Sequence, residues 1–70
     1  MEILSANLLD LRKQRSLSRQ MVADAIHISV RTYQRYENNE REPTAPVLVA
    51  LADFYGVSID YLTGRKGLCE

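Results

Sequence analysis

An all-α domain is predicted by three features of the sequence. Apolar residues recur at helical spacing, as in Leu4, Leu8 and Leu11, and nowhere alternate over a sustained run. Ser18, Ser29, Thr44 and Ser58 each stand just before a periodic segment, where an N-cap belongs. Gly56 and Gly64 follow the last two segments, where a helix commonly stops. The expectation is a compact five-helix bundle.

The elements follow in order. Leu4, Leu8 and Leu11 make the apolar stripe of the first helix, and Arg12, Lys13 and Arg15 crowd its last turn, where cations suit the negative end of the helix dipole. Ser16 lies just past that end. Ser18 caps a second helix from Arg19 to about Ile26, with Val22, Ala23 and Ile26 facing inward. Ile26-His27-Ile28 turns the chain, and Ser29 caps a third helix that runs to about Glu37. Tyr33 and Tyr36 face its inner side, while Val30, Arg31, Gln34 and Arg35 point elsewhere. Asn38–Pro43 is rich in turn formers and reads as a loop. Thr44 caps a fourth helix with Pro46 in its first turn and Leu48, Leu51, Ala52 and Tyr55 on its buried stripe. Gly56 ends it with a left-handed residue. A last short helix, Ile59 to Thr63, follows Ser58 and closes at Gly64. Residues 1–64 are expected to form one domain and residues 65–70 a short tail.

Seventy residues allow one small core, which buries roughly 60–65% of the unfolded surface. A composition 46% hydrophobic and 26% charged is that of a globular domain rather than a disordered tail. The single cysteine, Cys69, cannot form an internal disulfide, so a stapled secreted domain is excluded. MEILSANLLD lacks the basic segment of a signal peptide, and no apolar stretch approaches the roughly 20 residues that span a bilayer. The expectation from these features is a soluble, reducing compartment, the cytoplasm. Neither a nucleophile–base pairing nor a metal-ligand cluster emerges from the spacing, so no enzyme, metal, cofactor or small-molecule ligand is expected.

The net charge of zero hides an asymmetry. Residues 11–41 hold seven basic side chains against three acidic ones, a net of +4, whereas residues 1–10 and 42–70 each carry −2. Polyanion binding depends on the field within a Debye length, ~8 Å in physiological salt, more than on the total.

Two short helices joined by a three-residue turn make a helix-turn-helix unit, whose first helix braces across the phosphate backbone while the second enters the major groove. That geometry asks for a small residue where the helices touch (Ala23) and a residue that accepts an unusual turn conformation (His27). It also asks for bulky anchors under the second helix (Tyr33, Tyr36) and donors on its outer side. The tyrosines fall on the inward stripe, so they are read as core rather than as platforms for stacking bases.

Residues 4–64 resemble the phage-repressor and Cro-like (XRE-type) family of helix-turn-helix DNA-binding domains. The resemblance is carried by "LRKQRSLSRQMVADAI", "ISVRTYQRYEN", Pro43 after the loop, and "LADFYGVSIDYLTG", which occur in the family's order and spacing. It implies a five-helix fold that binds double-stranded operator DNA, commonly as a symmetric homodimer. Carried over by position, it implies that Val30, Arg31, Thr32, Gln34 and Arg35 read bases. Arg31 or Arg35 is the choice for bidentate contact with guanine O6 and N7, and Val30 for a thymine methyl. Arg19, Ser29, Asn38 and Arg41 are the implied phosphate contacts. Arg12 and Glu37 stand where the family tends to place an ion pair, expected here to be structural. The sequence departs from the pattern at His27 and Asn39, where glycine is common, and at Glu40 and Glu42, where relatives often carry lysine.

The expected function is that of a small transcriptional regulator, most plainly a repressor, with helix 29–37 in the major groove. Two copies would engage half-sites about 34 Å apart. Phe54, Tyr55, Val57, Ile59, Tyr61 and Leu62 exceed what one small core needs, so Ile59 and Tyr61 are expected at a dimer contact. The rival reading keeps the fold but not the DNA: a protein-interaction module, or an antitoxin-like partner, docking through that apolar surface.

Overall fold

Leu4, Leu8 and Leu11 lie on one side of α1 (Glu2–Gln14), and all three are buried. Val22 and Ala23 do the same for α2 (Arg19–Ala25), and Tyr33 and Tyr36 for α3 (Val30–Glu37). Leu51, Ala52 and Tyr55 of α4 (Ala45–Tyr55) and Leu62 of α5 (Ile59–Thr63) complete the core. Leu48 and Ile26, expected on the same stripes, are half-buried and pack against its edge. The structure, a computed structural model, describes residues 2–64; Met1 and the 65–70 tail with Cys69 lie outside the described residues. All five expected helices form, in the expected order.

The packing links all five helices of the described residues. α2 rests on α3, α1 on both α3 and α5, and α4 on α5. Polar ties hold α1 in place. The Ser5 hydroxyl donates to the Tyr36 carbonyl at 2.7 Å, and the Asn7 amide donates to the carbonyls of Tyr61 and Leu62, each at 3.0 Å. Ala23 of α2, the helix that packs on α3, is fully buried. A larger side chain there would push the two helices apart.

Three of the four expected N-caps close with a side-chain bond. Ser18, Ser29 and Ser58 accept from the amides of Met21, Thr32 and Tyr61. Thr44 occupies the cap position of α4 but makes no such bond. Pro46, the second residue of α4, has no amide to offer, which leaves only the Val47 amide within reach of such a cap.

The C-termini repeat one backbone device. Behind α1, α2, α3 and α4 a left-handed residue donates its amide three residues back, and the next amide reaches five residues back. Leu17 thus donates to Arg12, Ile28 to Ala23, Glu40 to Arg35 and Val57 to Ala52. The left-handed residues are Ser16 (φ 55°), His27 (φ 63°), Asn39 (φ 60°) and Gly56 (φ 69°). Positive φ was expected at His27 and Asn39 but not at Ser16. A side chain in this region costs about 1–2 kcal/mol, and glycine returns about 0.4–1 kcal/mol of that through unfolded-chain entropy. His27→Gly is therefore expected to raise stability by up to about 1 kcal/mol, or roughly 5 °C in melting temperature. Gly56→Ala, where an added Cβ meets open space, should lower it by a similar amount from backbone strain alone. Differential scanning calorimetry reads both; a destabilised His27→Gly would contradict the strain argument.

Candidate nucleic-acid interface

α3 is eight residues, about 12 Å long, and its two sides differ completely. Tyr33 and Tyr36 are inside, and Arg31, Gln34 and Arg35 are exposed. Arg31, Gln34, Arg35, Asn38 and Glu40 line one open depression along the outer side of the helix and just past its C-terminus. Four of these five offer N–H donors and one is a carboxylate. A helix with its side chains is about 10–12 Å across, which a major groove ≈12 Å wide admits, and its donors suit base edges rich in acceptors.

Glu37 sets the attitude of that helix. Its carboxylate accepts from Arg12 Nε at 2.6 Å and Nη2 at 3.2 Å, a two-pronged pair in which the side chains are only 13% and 2% exposed. Arg19 Nε adds a third bond at 3.2 Å. One carboxylate in the last turn of α3 thus ties it to α1 and α2 together. Arg12 Nη1 also donates to the Leu17 carbonyl at 3.0 Å, fixing the loop between α1 and α2. Burial alone would raise the Glu37 pKa, but the hydrogen bonds and charge of Arg12, with the hydrogen bond from Arg19, outweigh it and hold the carboxyl below its ordinary value. The Glu37 hydrogen bond pushes the Arg12 guanidinium above its own. The Tyr33 and Tyr55 hydroxyls lie close by without a well-formed hydrogen bond. Burial raises both pKa values, so both stay protonated, and the Glu37 charge adds to the rise.

The expected site residues are placed unequally. Arg31, Gln34 and Arg35 are brought together, with Asn38 beside them. Val30 does not point clear of the protein: it is half-buried and packs against the core, because the first turn of α3 rests on the body of the domain. Only part of its side chain faces outward. Thr32 is also half-buried, and its hydroxyl oxygen accepts from the Ser29 hydroxyl at 2.8 Å. The Ser29 hydroxyl is therefore engaged in the cap. Arg41 is exposed, beyond the end of α3. Arg19, expected at phosphate, has its Nε on Glu37 while its side chain remains 43% exposed. Arg12 and Glu37 form the expected ion pair.

The contacts of Arg15 and the place of Glu40 in the depression were not legible in the sequence. Arg15 reads as a cation suited to the dipole of its own helix, yet its Nη2 donates to the Tyr55 carbonyl at 2.6 Å and its guanidinium lies 5.3 Å from the Tyr55 ring centre. It caps α4 from outside, a contact across 40 residues that no local spacing announces. Of the seven basic residues in the +4 segment, Arg12, Arg15 and Arg19 thus have partners within the domain. Among the described residues no three His, Cys, Asp or Glu side chains gather as a metal-holding group, and no helix is long and apolar enough to cross a membrane.

Comparison with known proteins agrees with this geometry. The helix-turn-helix family model matches residues 8–62, so the chain belongs to that family. It is 38% identical over 60 residues to the uncharacterized HTH-type transcriptional regulator YqaE of Bacillus subtilis, covering 86% of this chain and 52% of that protein. It is 39% identical over 62 residues to the cryptic phage CTXphi transcriptional repressor RstR of Vibrio cholerae serotype O1, covering 89% and 55%. It is 39% identical over 57 residues to the uncharacterized regulator YobD of Bacillus subtilis, covering 81% and 51%. The chain spans about half the length of the relatives it matches.

Proposed function

We propose that this chain is the DNA-binding domain of a transcriptional regulator, a repressor in the simplest case, which reads duplex DNA with the outer side of α3. The observation that carries the reading is the shared exposed depression of Arg31, Gln34 and Arg35 on a helix whose opposite side is locked in the core. Family membership and the names of the relatives support it. Arg31 and Arg35 meet guanine edges, with Gln34 beside them. Val30 and Thr32 contribute what their half-burial leaves outside. Arg19, Arg41, Asn38 and the Ser29 amide at the α3 N-terminus hold phosphates. The reaction is binding alone, with no catalytic step, and repression follows from occupying a promoter. Two copies, in contact through the exposed Ile59 and Tyr61 of α5, engage adjacent half-sites. Cytoplasmic location follows from that role.

Gel-shift titration across salt tests this. The wild-type chain should retain labelled duplex, with log K falling linearly against log[salt]. Arg19→Ala should flatten the slope by about 0.9 and weaken all sequences alike. Because Arg19 is the exposed partner of Glu37, the same change should cost only ~0.2–1 kcal/mol of stability. A chain that shifts no duplex even at low salt would favour instead the interaction module, docking through the α5 surface.

A further inference from the structure

We propose that Glu40 is a specificity-determining residue of the α3 site, acting against phosphate rather than for any base; the inference rests on the DNA-binding reading above. Its backbone is fixed. The Glu40 amide donates to the Arg35 carbonyl at 2.9 Å, and Asn39 at φ 60° directs the chain so that residue 40 returns to the outer side of α3. Glu40 then lines the same depression as Arg31, Gln34, Arg35 and Asn38, the one acidic residue of the five.

A recognition helix reads bases with its N-terminal residues, so a group beyond its C-terminus lies towards the backbone. Phosphate and base edges both attract a guanidinium, but for different reasons. Phosphate is an anion and is drawn by net positive charge, which supplies essentially all non-specific affinity. Guanine O6 and N7 are neutral acceptors and are drawn by the paired geometry of the donors. A carboxylate beside Arg31 and Arg35 cancels positive charge without removing donors. It therefore repels a phosphate that would sit on the guanidiniums in a non-specific complex, and leaves a guanine contact nearly untouched. The result is a wider gap between the right sequence and the rest of the genome.

The test compares affinities for a duplex selected from a random pool by the wild-type chain and for a scrambled duplex of equal length. Glu40→Gln keeps shape and removes charge. It should tighten the scrambled duplex about five- to tenfold and steepen its salt slope by up to about 0.9, while the selected duplex changes about twofold or less. Asp53→Asn, which removes one negative charge from exposed α4 surface, should move both duplexes by the same small factor and so separates local from net charge. A Glu40→Gln chain that moves both duplexes equally, or neither, overturns the proposal while leaving DNA binding intact. A wild-type chain that prefers no sequence overturns the functional reading itself, and this inference with it.

Discussion

Glu37→Ala is expected to cost about 3–5 kcal/mol of folding free energy, because it leaves the Arg12 guanidinium buried and uncompensated. A 70-residue domain has roughly 4–10 kcal/mol in all. The variant should therefore melt on the order of 15–30 °C lower, or fail to fold at ambient temperature. The cause can be separated from simple loss of contacts. Replacing both partners, as Arg12→Met with Glu37→Leu, removes the stranded charge and should recover at least half of the loss, although the Leu17 carbonyl then lacks its Arg12 donor. If the double variant is no better than Glu37→Ala, desolvated charge is not what makes the pair indispensable.

The same residue fixes the direction of the acid response. Because the Glu37 pKa is lower in the folded chain than its ordinary value of 4.5, its contribution is fully present above that value. It is lost as pH falls through the lower folded pKa. Wild-type stability should decline below about pH 4.5, and Glu37→Gln, less stable at neutrality, should show a shallower decline there. Thermal melts between pH 3 and 7 read this. A Glu37→Gln chain as acid-sensitive as wild type would place the response on other carboxylates.

The largest functional effect is expected from Arg31→Ala with Arg35→Ala. Each bidentate guanine contact is worth about 1–3 kcal/mol of discrimination, so loss of both should lower the ratio of selected to scrambled affinity by roughly 30-fold or more. Circular dichroism should be unchanged, since both side chains are exposed and neither supports the core. Single variants show which arginine carries which position in the selected sequence. Loss of affinity for both duplexes by one factor, with the ratio preserved, would reassign these arginines to phosphate.

Much of this was legible before any coordinates. The helix stripes were visible because one side of each helix meets a single core, so Leu4, Leu8 and Leu11 or Tyr33 and Tyr36 repeat with the helical period. Helix starts were visible because serine caps act locally. Helix ends were less so: the reversal at Ser16 is made by backbone hydrogen bonds that leave no side-chain signature. The outer side of α3 followed from the inner by exclusion, apart from Val30, whose position near the end of the helix brings it onto the domain. The partners of Arg15 and Arg19 were hidden for a common reason. Charge counted along the sequence takes no account of partners, and theirs are 40 and 18 residues away. Glu40 could be placed only once the direction of the chain after Asn39 was known.

Guanine N7 methylation interference addresses the contact between α3 and the bases at the level of single atoms. The expected result is that methylating at least one guanine N7 in each half-site of a selected duplex blocks the wild-type chain, and that Arg31→Ala or Arg35→Ala no longer senses that methyl group. If the blocking guanines are the same for wild type and both variants, or if no N7 methyl group interferes at all, the outer side of α3 does not read the major groove.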